Sequence, residues 1–266
     1  ASIGRYAGRI SEGEFLIDGK VFKLYQENGV HLHGGFRGLQ HKIWKVENLT
    51  KGSNPSINLS CFSEDGEEGY PGNLKVQVIY TLTEDNELII EYQAETDKPT
   101  AVNLTNHVYF NLSGKGSVSD HELFIAAEAV LEVDKKLRPS GNYCSILNVN
   151  KDFSTSKKIG NNLLDDTFVF NSDQEKAKVR LTSAETGIEL TVKTDQPAAV
   201  VYVPKNLPDS WEYQTELASQ SPSICLELQN FPDAPNHGNF PNSILTPNEK
   251  YINKSTFQFK ILKEKL

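Results

Sequence analysis

Methionine is absent from the 266-residue chain, and cysteine occurs only as Cys61, Cys144 and Cys225. An odd number of scattered cysteines with no CxxC pair excludes a disulfide framework and a zinc knuckle, and leaves reduced, buried thiols as the reading. Apolar runs fall far short of the eighteen or so residues that a membrane span requires, and no signal-peptide pattern opens the chain. The expectation is therefore a soluble, cytoplasmic protein with no membrane partner. Basic residues are outnumbered, 27 against 35 acidic, for a net charge of −8, which argues against nucleic acid or an anionic membrane surface as the main partner. The lack of methionine, with an opening Ala1-Ser-Ile-Gly-Arg-Tyr6 that reads as ordered structure, gives the expectation of a trimmed N-terminus.

Helical periodicity is also scarce. The best helix candidate is a short stretch from Lys157 to Leu164, without a strong cap. What is there instead is alternation with period two: Leu88, Ile90, Tyr92 and Ala94 share one face, as do Ile188, Leu190 and Val192, and Phe257, Phe259 and Ile261. Turn signals at Asp18-Gly19, Asp65-Gly66, Glu84-Asp85-Asn86, Ser140-Gly141 and Thr186-Gly187 separate the strands, at a spacing that suits an antiparallel sandwich or barrel. No repeat, low-complexity linker or composition break divides the chain, so residues 1–266 read as one all-β domain. The polar, proline-containing stretch from Asn206 to Pro222 reads as a long surface loop.

The candidate chemistry centres on Asn103-Leu-Thr-Asn-His-Val-Tyr-Phe-Asn-Leu-Ser-Gly114, where a histidine lies among amides and hydroxyls at the end of a strand pattern. His107 is either an active-site imidazole whose neighbours fix its ring and proton, or a strand-end histidine packed on an aromatic. His33, in His31-Leu-His33-Gly-Gly35, is followed by glycines that allow close backbone approach or a sharp turn. His31 and His33 as an i,i+2 pair, without a cysteine or a carboxylate partner nearby, make a poor zinc signature, so no metal and no cofactor is called. Glu227 is a carboxylate inside the strand pattern Ile224-Cys-Leu-Glu-Leu-Gln229, sharing a face with Cys225 and Gln229; that face is either solvated or part of a site. Arg9, in a small-residue context, can reach a hydroxyl or an oxyanion, or is an ordinary surface arginine. Asp165 and Asp166 read as a turn or helix-end pair, and two adjacent carboxylates rarely point the same way in a strand.

Taken in order, Gly4 to Ile10, His31 to Gly35, Gly69-Tyr-Pro-Gly-Asn-Leu74, Asn106-His-Val-Tyr-Phe-Asn-Leu112, Asp165 to Phe168 and Leu226 to Asp233 resemble the aldose 1-epimerase (galactose mutarotase) family. The resemblance spans nearly the whole chain. It implies a large antiparallel β-sandwich, the galactose mutarotase-like supersandwich, here lacking its N-terminal strands. It implies a cofactor-free interconversion of the α and β anomers of a free aldohexose such as galactose or glucose, by a monomer or homodimer. Carried over by motif, Glu227 is the general base on the C1 hydroxyl and His107, protonated at the start, is the general acid for the ring oxygen. His33 and Arg9 brace the ring oxygen and nearby hydroxyls, and Asp165 holds sugar hydroxyls. Opening a hemiacetal removes one proton and delivers another, so a carboxylate and an imidazolium on opposite sides of C1 and O5 suit the reaction. Three positions depart from the family pattern: Val200 where a glutamine usually faces the sugar, Gly8 in place of asparagine, and Asp166 in place of His or Asn. They bear on sugar preference more than on the reaction. A sugar phosphate is the alternative substrate, and a non-catalytic carbohydrate-binding sandwich the alternative class. A phosphate needs a further basic clasp, and of the five arginines only Arg9, Arg37 and Arg5 are candidates.

Overall fold

The computed structural model describes residues 1–149, 151–171, 176–208 and 220–262. Two antiparallel sheets dominate it. One has nine strands, running in space from Lys157–Lys158 through Glu122–Ile125, Val179–Thr182, Ile188–Thr194, Tyr251–Ile261, Glu87–Thr96, Leu74–Leu82 and Ser56–Ser63 to the exposed edge Lys45–Thr50. The other has six: Tyr109–Phe110, Ile224–Gln229, Ala198–Tyr202, Asp165–Phe170, Ala127–Val133 and Pro139–Ser145. Period-two alternation places Val76, Val78, Ile90, Tyr92, Leu190, Val192 and Phe257 of the first sheet against Ile224, Leu226, Leu228, Ala199, Val201 and Phe168 of the second in a single buried cluster. Large apolar side chains from both inner faces hold the sandwich together, each stabilising by about 1.5–3 kcal/mol when fully buried.

The candidate helix does not form. Lys157–Lys158 is instead a two-residue strand paired with Glu122 and Leu123, and no α-helix occurs among the described residues. Gly160, at φ +61, turns the chain directly afterwards. Ile159 and Leu164 are buried, but Leu163 between them is exposed, so the apolar spacing that suggests a helix serves an irregular segment. Of the expected loop from Asn206 to Pro222, residues 209–219 lie outside the described residues.

The outer face of the six-stranded sheet carries the functional side chains, and register fixes which ones. Thr167 pairs with Val200 and Val200 with Glu227, while Asp165 pairs with Tyr202, Tyr202 with Cys225, and Cys225 with Tyr109. Residues directly opposite share a face, so these two rows form a floor. Asp166, one residue on, is turned to the other side and ion-paired with Lys151. Short N-terminal strands wall the floor: Arg9–Ser11 pairs with Val30–Leu32 above a second apolar cluster of Tyr6, Ile10, Phe15, Leu24, Tyr70 and Ala101.

Candidate active site

A cleft of about 220 Å³ opens on this floor. Arg9, His33, His107, Asp165 and Glu227 all line it, so every residue singled out for the site converges there from five separate segments. His107 is carried by a segment that is tied to the strand beside it: the Thr105 hydroxyl donates to the Leu228 carbonyl at 2.9 Å, and the Asn103 amide bonds Asn230 in both directions. The imidazole stacks on Tyr109, with ring centroids 5.1 Å apart. Its Nε2 lies 3.4 Å from Oε1 of Glu227, whose side chain is only 3% exposed. The acid and base candidates are therefore side by side. Two atoms of the pair, His107 Nδ1 and Glu227 Oε2, are buried with no hydrogen-bond partner, a costly state for a polar atom.

His33 approaches the same pair, with its ring 5.5 Å from that of His107 and nearly perpendicular to it. Its backbone lies in the left-handed region at φ +52, followed by Gly34 and Gly35 at φ +82 and +88. A Cβ on Gly34 would lie 1.8 Å from the Gly4 carbonyl oxygen, which is why glycine follows the histidine. The Gly8 N–H donates to His33 Nδ1 at 3.1 Å, so the ring proton is on Nε2. Gly8, where the family pattern has asparagine, is at φ +75, and a Cβ there would press on Pro232. On the other wall, Arg9 Nη2 lies 3.4 Å from Asp165 Oδ2, a pair of which both members remain about a quarter exposed and open to the cleft.

Burial sets the charges. It pushes the Glu227 carboxyl up to about 8, with Asp165 adding to the rise and Arg9 opposing it. It lowers the His107 imidazole to about 4. His33 drops to about 3, first by burial and then by the proximity of His107 and Arg9. Asp165 is raised, mainly by burial. Burial thus drives both groups toward their neutral forms, and the pair carries one proton between them.

A two-histidine, one-carboxylate set is also a metal-ligand pattern, and ligand atoms of His33, His107 and Glu227 lie within 4.8 Å of one another. The bond from Gly8 argues against an ion: it occupies the Nδ1 lone pair of His33 and leaves Nε2 protonated, with no lone pair to offer. His31 does not join the site. It is fully buried, with Nδ1 bonded to the Tyr25 carbonyl and Nε2 to the Tyr70 hydroxyl. Nor do Arg5 and Arg37 line the cleft; Arg5 is buried and donates to carbonyls of Ser63, Glu64, Pro71 and Gly72.

Sequence reasoning missed Thr167, Tyr202 and Leu137 in the lining. The first two follow from Asp165 and Val200 by adding two residues along each strand, but only once the face of each strand is known. Val200 does face the cleft, placing methyl groups beside Glu227.

A family model described as aldose 1-epimerase matches residues 1–258. The galactose mutarotase of Bos taurus is 38% identical over 273 residues, covering 98% of this chain and 78% of that protein. The aldose 1-epimerase of Escherichia coli K12 is 35% identical over 276 residues, covering 97% and 79%. Among solved structures, an aldose epimerase homologue from C. elegans superposes with a TM-score of 0.89 at 30% identity, covering 98% of this chain and 82% of that one. The galactose 1-epimerase from Lactobacillus acidophilus NCFM gives a TM-score of 0.86 at 28% identity, covering 98% and 80%.

Proposed function

The chain belongs to the aldose 1-epimerase family and interconverts the α and β anomers of an aldose, and from that premise we propose that its substrate is a free aldohexose such as galactose or glucose, with Glu227 and His107 moving the protons. Glu227 takes the proton from the C1 hydroxyl as the bond from C1 to the ring oxygen breaks, and His107 delivers a proton to that oxygen. Rotation about C1–C2 turns the aldehyde over, and the two groups exchange roles on closure. O1 and O5 are bonded to the same carbon, so an acid and a base in contact with each other suit the transfer. The observation that carries this reading is the buried Glu227–His107 contact at 3.4 Å with an unpartnered atom on each side chain.

The division of labour needs one proton on the pair and only its position within the pair to change. Neutral acid with neutral imidazole, and carboxylate with imidazolium, contain the same single proton. A sugar that donates from O1 to Glu227 and accepts at O5 from His107 favours the second form. His33, held neutral with Nε2–H free to donate, stabilises negative charge on a ring oxygen without adding a cation that would disfavour the imidazolium. Arg9 and Asp165 offer donors and acceptors to the remaining hydroxyls. A free sugar fits better than a sugar phosphate, because Arg9 is the one cationic side chain of the lining and is already paired with Asp165.

The test is polarimetry on freshly dissolved α-D-galactose and α-D-glucose. Equilibration faster than in buffer is expected for at least one of them, and an unchanged rate for both sinks the substrate assignment.

A further inference from the structure

Across the cleft from the reacting pair lies an apolar wall that the proton chemistry does not use: Val133, Leu137 and Pro139. Three strand-to-strand steps separate Ile224–Gln229 from Ala127–Val133, roughly 14 Å at about 4.8 Å per step. Leu137 stands at the turn between Ala127–Val133 and Pro139–Ser145, with its backbone in the left-handed region at φ +59. For a bulky residue that conformation is unfavourable by about 1–3 kcal/mol and persists only where the surroundings over-determine it.

They do so here. Asp134 accepts from the backbone N–H groups of Lys136 at 2.8 Å and Arg138 at 3.0 Å, and from Arg138 Nε at 2.8 Å. The turn is then fastened to the opposite wall. Arg138 Nη1 pairs with Glu12, and Lys136 Nζ donates to the Asn28 carbonyl at 2.7 Å. Glu12 and Asn28 belong to the turns that flank the paired strands Arg9–Ser11 and Val30–Leu32, which bear Arg9 and lead into His33. An uncharged, strained side chain is thus pinned into the cleft by contacts that bridge both walls.

We propose that Leu137 is a specificity-determining clasp: held by the Arg138–Glu12 and Lys136–Asn28 contacts, it packs on the C5–C6 end of the bound hexose and anchors it while C1 turns over. The idea rests on the anomer-exchange reading of the same cleft. With C1 placed at Glu227 and His107, the far end of a ring filling the cleft meets this wall. Rotation about C1–C2 is productive only if the rest of the molecule is held. Leu137 touches substrate; Arg138, Glu12, Asp134 and Lys136 are positioning residues that act through it.

The clasp makes a prediction that a structural role does not. An aldopentose matching the hexose except for its missing C6 group, such as L-arabinose for D-galactose or D-xylose for D-glucose, has nothing for Leu137 to hold. Leu137→Ala is therefore expected to raise KM for the hexose about tenfold and for the matching pentose less than twofold. Arg138→Gln, which leaves the leucine in place but loosens it, shifts hexose KM in the same direction by about threefold and spares the pentose. Thermal melting of each variant separates a loosened fold from a lost contact. Equal changes for hexose and pentose, or no change for either in both variants, overturn the clasp. A parent chain that accelerates neither hexose overturns the free-hexose reading of this cleft, and the clasp with it.

Discussion

At the scale of single residues, the proton that Glu227 and His107 share decides the pH behaviour. The pair is active with one proton and inactive with two or none. Burial lifts the carboxyl to about 8 and lowers the imidazole to about 4. The two groups are in contact and gain and lose protons as a pair. The profile of kcat/KM for galactose is expected to be bell-shaped, falling below about pH 4 as a second proton binds and above about pH 8 as the last one leaves. A single ionisation near 6.5, the signature of an isolated exposed histidine, would show that the two groups titrate independently. His33 contributes no limb in this range, since its imidazole stays neutral down to about 3.

At the scale of elements, the site depends on backbone conformations that only glycine provides. Gly34→Ala drives a methyl group into the Gly4 carbonyl and strains φ +82. It is expected to cost roughly 3 kcal/mol of stability and to displace His33, read as a lowered denaturation midpoint together with reduced turnover. A variant with parental stability and turnover would mean that the His33 turn relaxes freely. The same elements show what the sequence discloses. Alternation around Leu226 and Leu190 is legible because each strand is apolar on one face only, which marks the strand around Glu227 in the sequence itself. The six ordered motifs identified Arg9, His33, His107, Asp165 and Glu227, all of which meet in one cleft. Which face of a strand becomes the floor was not legible, since register depends on neighbours distant in the chain. That is why Thr167 and Tyr202 escaped notice. Burial escaped for the same reason, and with it the drive of both Glu227 and His107 toward their neutral forms. Helix spacing at Ile159 and Leu163 misled, since Leu163 is exposed and Gly160 turns the chain between them.

At the scale of the whole molecule, buried neutral histidines make the fold sensitive to acid. His31, His33 and His107 are lowered from 6.5 to about 4, 3 and 4, each chiefly by burial. The unfolded chain therefore takes up these protons first, and stability is lost as pH falls from about 6.5 toward 4, by about 1.4 kcal/mol per pH unit for each histidine. Glu227 acts in the opposite sense: its raised carboxyl favours the fold at low pH, and that contribution is lost as pH rises from 4.5 through about 8. Maximum stability is expected near pH 6.5 to 7. His31→Asn removes one of the three groups at a place remote from the cleft, so denaturation midpoints measured between pH 4 and 7 should fall less steeply with acid than in the parent. An unchanged slope would mean that His31 becomes protonated without unfolding. Most of the molecule is scaffolding in this account: two sheets with a shared apolar core hold one polar face rigid, so that five side chains from distant segments keep their spacing.

The most direct measurement is the rate of anomer equilibration of α-D-galactose with the parent chain and with Glu227→Gln, alongside galactose affinity for both. The amide keeps the shape and hydrogen-bonding capacity of the carboxyl but cannot take a proton. Acceleration by the parent, a fall of a hundredfold or more in the variant, and affinity retained within a few-fold are expected. A variant that equilibrates the sugar at the parental rate would contradict Glu227 as the base and, with it, the pairing with His107 on which the account stands.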